Sequence, residues 1–243
     1  MKTLHFSIRT AKEILRDPIN LFFGLGFPVI LLLLLSAIQA NIPVSLFEIE
    51  SLAPGITVFG MAFMSLFTAS LLARDRETAF LQRLYTTPLS ALDFVLGYTL
   101  PILPLGVGQT LVCYLVAFAL GLPISGNVFL SLVFSLPIAL LFIGLGVLFG
   151  SILNTKQVGG ICGALLTNLT AWMSGIWFDL QLVGGTFESI AKLLPFLHGV
   201  EMQRAVVAGN FSASMPHLLW VVVYAIAVMA AAVLLFLRQM KKQ

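Results

Sequence analysis

Residues 94–155 contain no Asp, Glu, Lys or Arg, and neither do residues 205–237 or 18–47. Charged residues make up only 9% of the 243-residue chain, against 59% hydrophobic. Apolar stretches of this length cannot form the surface of a soluble domain. A charge at a bilayer centre costs about 2.5–3.5 kcal/mol on insertion scales, so membrane spans exclude it. Cysteine is equally scarce. Cys113 and Cys162 both fall in apolar stretches, which argues against a disulfide framework and leaves them as small packing residues. The alternating segments of about 10 residues that mark a transmembrane β-barrel are missing. None of the six lysines follows a glycine, so the chain has no G-x-x-x-x-G-K-[ST] phosphate loop. The net charge of +3 gives no reason to expect a nucleic-acid partner, and membrane orientation explains the basic residues better. His5, His198 and His217 are scattered in sequence near predicted interfaces and are not expected to form a metal site.

What remains is an all-α polytopic membrane protein, read as a single domain over residues 1–243. A helix needs about 20 apolar residues to cross a bilayer. Six spans are expected, at about 19–38, 53–73, 93–120, 127–150, 158–178 and 216–237. Pro101, Pro104, Gly106 and Gly108 predict a kink or interruption in the third. Ahead of the first, residues 3–17 place Leu4, Ile8, Ala11 and Leu15 at helical spacing, with Arg9, Lys12, Glu13 and Arg16 on other faces. This predicts an amphipathic helix on the membrane surface. The run from Ile19 to Ile38 is too long for a signal-peptide core.

The basic residues orient the bundle. With a cytoplasmic N-terminus, 11 of the 13 fall inside, and only Lys192 and Arg204 fall outside. The expectation is a multi-pass protein of the plasma (inner) membrane, in contact with lipid and with both termini cytoplasmic. The outer loop before the last span, about 179–215, is long and partly helical. Phe187, Ile190, Ala191 and Leu194 form an amphipathic stretch ended by Pro195, and a second helix, 198–208, ends at Gly209. Such a loop can dip back into the membrane where protein or water surrounds it.

Residues 74–90, RDRETAFLQRLYTTPLS, form the densest charged island. Arg74, Asp75, Arg76 and Glu77 open it. Phe80, Leu81 and Leu84 follow at helical spacing, and Thr86-Thr87-Pro88 stops the helix. A partner could grip this short helix in a groove, or the island could serve only to orient the chain. Gly146-x-x-x-Gly150 and Gly159-x-x-x-Gly163 permit close helix approach, within one protomer or between two. Thr167, Asn168, Thr170 and Ser174 in the fifth span fit either interhelical hydrogen bonds or a substrate path. Glu201 and Arg204 stand at pairing distance on a helix.

In this order, these features resemble the membrane subunit of type-2 ABC transporters, a permease family that includes drug, antibiotic and lipid-linked glycan exporters. They are the basic surface helix, the six spans, the charged helix closed by T-P-L, and the long outer loop holding WFDL and LPFLHGVEMQRAVVAGN. Pro195 and Arg204 match the family's loop pattern in kind. Phe196-Leu197-His198 replaces its Asn-Pro, and the early proline after Phe178 is missing. The resemblance implies that about 74–85 is the coupling helix. It implies ATPase-coupling roles for Arg74, Asp75, Arg76, Glu77, Phe80, Leu81, Leu84, Thr87 and Pro88, with Glu77 set against a partner cation. It further implies a separate nucleotide-binding ATPase that holds ATP and Mg, a second permease copy that is identical or closely related, and neither a cofactor nor a catalytic site on this chain. Spans one, two and five would form the path, with Phe23, Phe27, Phe59, Phe63, Thr167, Asn168 and Thr170 as candidate lining. That lining suits an amphipathic, lipid-like, drug-like or glycan substrate moving outward. The alternative is an ATP-independent secondary transporter or channel, but the expected midplane charge of a carrier is missing. An intramembrane protease fits worse still, since Trp172-Met173-Ser174-Gly175 has no histidine deep in another span.

Overall fold

The computed structural model describes residues 2–78 and 90–240. The elements among them are all helical. They begin with α1, Lys2–Leu15. Helix α2, Pro18–Gln39, is π-helical over Phe22–Gly26. Then come α3, Ile49–Glu77, α4, Ala91–Ala119, and α5, Gly126–Gly150. Helix α6 covers 155–173, in three parts: Thr155–Val158, a π-helical stretch Gly159–Leu166, and Thr167–Met173. The last three are α7, Gly185–Leu193, α8, Pro195–Val207, and α9, Phe211–Met240.

Five helices among the described residues (α2, α3, α4, α5 and α9) are long and apolar enough to cross a membrane. The segment expected as the fifth span, about 158–178, is not one of them. Its helix stops at Met173, and Gly175 turns the chain away with φ +69. Gly159, Gly160 and Gly163 fall in its π-helical part, where the wider turn is easiest without side chains. Of the kink or interruption expected in the third span, the interruption is corrected. Helix α4 is continuous through Pro101 and Pro104. It packs along α3 and α5, and membrane helices tolerate proline where neighbours enclose them.

Helix α3 is the axis of the bundle. Some 89% of its apolar window is buried, against 22% for α2 and 17% for α9, so α3 touches protein on all sides while α2 and α9 keep wide uncovered faces. Small residues make this possible, among them Ala53, Gly55, Ala62, Ser65, Ala69 and Ala73. Helix α5 comes closest. A Cβ on Gly146 would lie 2.5 Å from the Ser65 carbonyl oxygen, and one on Gly150 would lie 2.8 Å from the Ala69 Cα. This glycine pair therefore serves packing within the chain. Gly159 and Gly160 have nothing within 4 Å of an added Cβ.

Helix α1 docks on α4, though not through the stripe read from the sequence. Phe6, Thr10 and Ile14 are buried, and Phe6 packs edge-on against Phe94 and Tyr98 at 6.0 and 5.1 Å. Leu4, Ile8 and Leu15 remain exposed on another face. At the opposite end, α8 packs into the bundle against α3, α5 and α9. A Schellman turn ends it at Gly209, where φ is +77. There Asn210 N–H bonds Ala205 C=O at 2.8 Å and Gly209 N–H bonds Val206 C=O at 3.0 Å.

Candidate functional site

The last turn of α3 is the point to which the charged island leads. Its four opening residues each reach a different part of the bundle. Arg74 lies 3.5 Å from Asp17, which caps the start of α2. Asp75, only 5% exposed, accepts two hydrogen bonds from Arg9 of α1 at 2.8 and 3.0 Å and one from Tyr98 of α4 at 2.7 Å. The forked guanidinium matches the carboxylate, and such charge-assisted pairs are among the stronger hydrogen bonds. Arg76 donates to the carbonyls of Gly150 at 2.9 Å and Leu153 at 3.2 Å, where it faces the negative end of α5. Glu77 accepts from Thr155 N–H at 2.9 Å and from its hydroxyl at 2.8 Å, at the positive start of α6.

This turn joins α1, α2, α4, α5 and α6. It is the point at which the chain enters residues 79–89. Phe80, Leu81, Leu84, Thr87 and Pro88 lie outside the described residues. Glu77, read from sequence as facing a partner cation, is engaged by Thr155 within the chain. A carboxylate on the last residue of a helix is well placed to satisfy an orphan amide at the start of a neighbouring helix.

Electrostatics at this hub are local. Burial opposes the Arg9 charge, but the hydrogen bond and the charge of Asp75 outweigh it and raise the guanidinium above its ordinary value. Glu13 lies 2.5 Å from Arg9. Burial pushes its carboxyl above the usual range despite Arg9, and its second oxygen is buried without a partner. Helix α4 opens on a capping box, in which Ser90 and Asp93 bond each other's backbone amides at 2.9 and 3.2 Å. The spacing Ser90-x-x-Asp93 carried that signal in the sequence. Arg9 was visible there on a polar face, but nothing local pointed to Asp75 and Tyr98.

The expected path residues separate into two groups. Phe23, Phe27, Phe63 and Phe59 come together as a ladder of ring contacts between 5.5 and 6.2 Å. It ends at Trp177, 5.9 Å from Phe59. Thr167, Asn168 and Thr170 bond back to their own helix, to the carbonyls of Cys162, Ala164 and Leu166 at 3.0, 2.9 and 2.8 Å. Of the two readings left open for them, interhelical bonds or a substrate path, the first gives way to local bonds, the usual outlet for a hydroxyl or amide in an apolar helix.

At the far end of α3 a cavity of about 740 Å³ lies among the 175–182 segment, α7, α8 and the start of α9. Trp177, Asp179, Glu188, Glu201, Arg204 and His217 line it. Glu201 and Arg204 pair at 2.9 Å, and Arg204 also donates to the Ser51 and Gly175 carbonyls at 3.2 and 3.0 Å. His198 and His217, separate in sequence, meet with their Nδ1 atoms 2.8 Å apart. His198 stacks on Trp220 at 4.9 Å, and Tyr224 donates to the Leu193 carbonyl at 2.6 Å. Helix α9 thus holds the α7–α8 corner. Beneath it, buried Gln203 donates to Ser131 C=O at 3.1 Å and accepts from Tyr114 at 3.4 Å. A glutamine in the apolar stripe Phe196, Val200, Val206 was a signal that the sequence reading did not use.

Long apolar helices around a buried axial helix, with charges gathered at the bundle ends, define a polytopic membrane protein. The chain belongs to the ABC-2 type transporter family, whose model matches residues 2–208. That range runs from α1 through α8. Two curated relatives are similar, the "Probable multidrug ABC transporter permease YbhS" of Escherichia coli (strain K12) and that of Escherichia coli O157:H7. Each is 26% identical over 164 residues, which is 65% of this chain and 43% of the relative. The match therefore spans less than half the length of either relative.

Proposed function

We propose that this chain is the permease subunit of an ATP-driven exporter, worked by a separate ATPase that holds ATP and Mg, with two permease copies forming the path. The observation that carries this reading is the hub at the end of α3. In a family of ABC transporters, residues 74–77, just ahead of 79–89, tie five helices together within one turn. A displacement of the 79–89 segment by a bound ATPase would act on all five at once. The exposed apolar face of α1 fits a helix lying on the cytoplasmic membrane surface. Helix α6 would supply the sixth crossing, thinned by its π-helical stretch. The Phe23–Phe63 ladder, next to the uncovered face of α2, suits an amphipathic, drug-like or lipid-like substrate, and the printed name of the relatives points the same way.

Co-expression with a candidate ATPase, followed by reconstitution into proteoliposomes, tests the reading. Wild-type protein should co-purify with the ATPase and show ATP-dependent drug efflux. Leu84→Asp should release the ATPase and abolish efflux while the protein still inserts. Efflux driven by an ion gradient without ATP would establish the secondary-transporter alternative instead, and ATP-driven efflux unchanged by Leu84→Asp would mean that the island only orients the chain.

A further inference from the structure

The cavity at the far end of α3 is lined by three carboxylates, Asp179, Glu188 and Glu201, against two cations, Lys192 and Arg204. Both cations on its wall are already held. Lys192 lies 2.5 Å from Glu188, and every nitrogen of the Arg204 guanidinium is engaged by Glu201, Ser51 or Gly175. Asp179 has no basic partner among the described residues, and one of its oxygens caps Gln181 N–H at 2.9 Å. Asp179, Glu188 and Glu201 each keep an oxygen that accepts nothing from the described residues.

With both rings neutral, the histidine pair adds a fourth acceptor. His198 Nε2 faces the Lys192 carbonyl at 2.9 Å, and a carbonyl only accepts, so that nitrogen carries the hydrogen. In the neutral ring His198 Nδ1 is then bare, and His217 must donate to it from its own Nδ1. His217 Nε2 is left as a bare acceptor on a residue that lines the cavity. Trp177, Phe178, Leu180 and Leu197 supply apolar wall, and Trp177 is the last ring of the phenylalanine ladder.

From these features we infer that the cavity binds the protonated amine head of a cationic amphipathic molecule, with its apolar body toward the ladder. An ammonium group brings three donors and one positive charge to a wall of unfilled acceptors beside an indole face. An anionic head would meet three carboxylates and two cations already taken. A bare metal ion lacks a ligand set, since no group of three His, Cys, Asp or Glu suited to one occurs among the described residues.

The delivery route rests on the permease reading, but the binding does not. The test uses the full chain in neutral-lipid nanodiscs without ATP or ATPase. Equilibrium binding of dodecylamine, dodecanol and dodecanoic acid is measured at pH 7.5, with empty discs subtracted. Dodecylamine should bind at least about tenfold more tightly than either chain-matched control. Asp179→Asn combined with Glu188→Gln should remove about tenfold of that preference, since asparagine can still cap Gln181 while the carboxylate charge is lost. Equal affinity for the three probes in wild-type protein overturns the inference without recourse to any variant, as does a preference that survives both substitutions. Amine selectivity without ATP-driven efflux would refute the permease reading alone, and efflux without amine selectivity would refute this site alone.

Discussion

Asp75 concentrates the charged end of the bundle in one side chain. It is nearly buried, and its charge is matched by a bidentate guanidinium and a phenol. Removing one partner of such a pair leaves the other charge poorly solvated, at a cost of roughly 3 kcal/mol. Asp75→Asn should therefore lower the thermal midpoint of the purified protein strongly. Tyr98→Phe, which removes one hydrogen bond, should cost only about 1 kcal/mol. Equal losses from the two would show that the ion pair is not the stabilising element. Glu13 supplies a pH dependence. Its folded pKa is raised by burial, so its stabilising contribution is full below the unfolded value and is lost as pH rises through the folded one. Glu13→Gln mimics the protonated form. It should raise the midpoint by about 1–2 °C at pH 8 and leave it unchanged near pH 4. A stabilisation at acid pH, or a loss at pH 8, would reverse that sign.

At the scale of elements, the α3–α5 contact depends on what its helices lack. Gly146 and Gly150 let α5 meet the α3 backbone directly, and in lipid such close van der Waals packing takes the place of hydrophobic burial. Gly146→Leu would drive a side chain into the Ser65 carbonyl, and its overpacking should cost about 3 kcal/mol or more. Gly160 on the π-helical part of α6 faces open space, so Gly160→Ala should leave the yield of monodisperse protein unchanged. Size-exclusion profiles in detergent separate the two cases. If Gly160→Ala aggregates as badly as Gly146→Leu, the two faces of the bundle are not distinguished by packing.

Across the whole molecule, the two ends of α3 differ in charge. Arg9, Arg74 and Arg76 gather at the hub, and Lys192 and Arg204 at the cavity. We propose from this excess of positive charge that the hub lies in the cytoplasm. Thr78→Cys, exposed beside the hub, should react with an impermeant maleimide only from the cytoplasmic side, and Ser189→Cys only from outside. Both native cysteines are buried and should stay silent. Ser90 is a poorer probe position, since its hydroxyl caps α4 and losing it would cost about 1 kcal/mol. Labelling of both probes from one side would break the proposed topology.

Composition and periodicity alone determined that the chain is a helical membrane bundle, where most of its helices run, and that the 74–90 island is its main charged connection. These are local properties. A span excludes charge over its own length, and Pro195 and Gly209 punctuate helices through their own backbone chemistry. The partners of the polar residues were not legible, because they come from elsewhere in the chain. Arg9 and Asp75 are 66 residues apart, and His198 meets His217 only because α8 turns back on α9. The docking face of α1 was hidden for a related reason. Leu4, Ile8 and Leu15 mark the face that wants an apolar neighbour, but lipid can fill that role as well as protein, and the docking face uses Phe6, Thr10 and Ile14 instead. In a membrane both sides of a helix are apolar. Hydropathy therefore identifies the helices, and only their packing decides which residues meet.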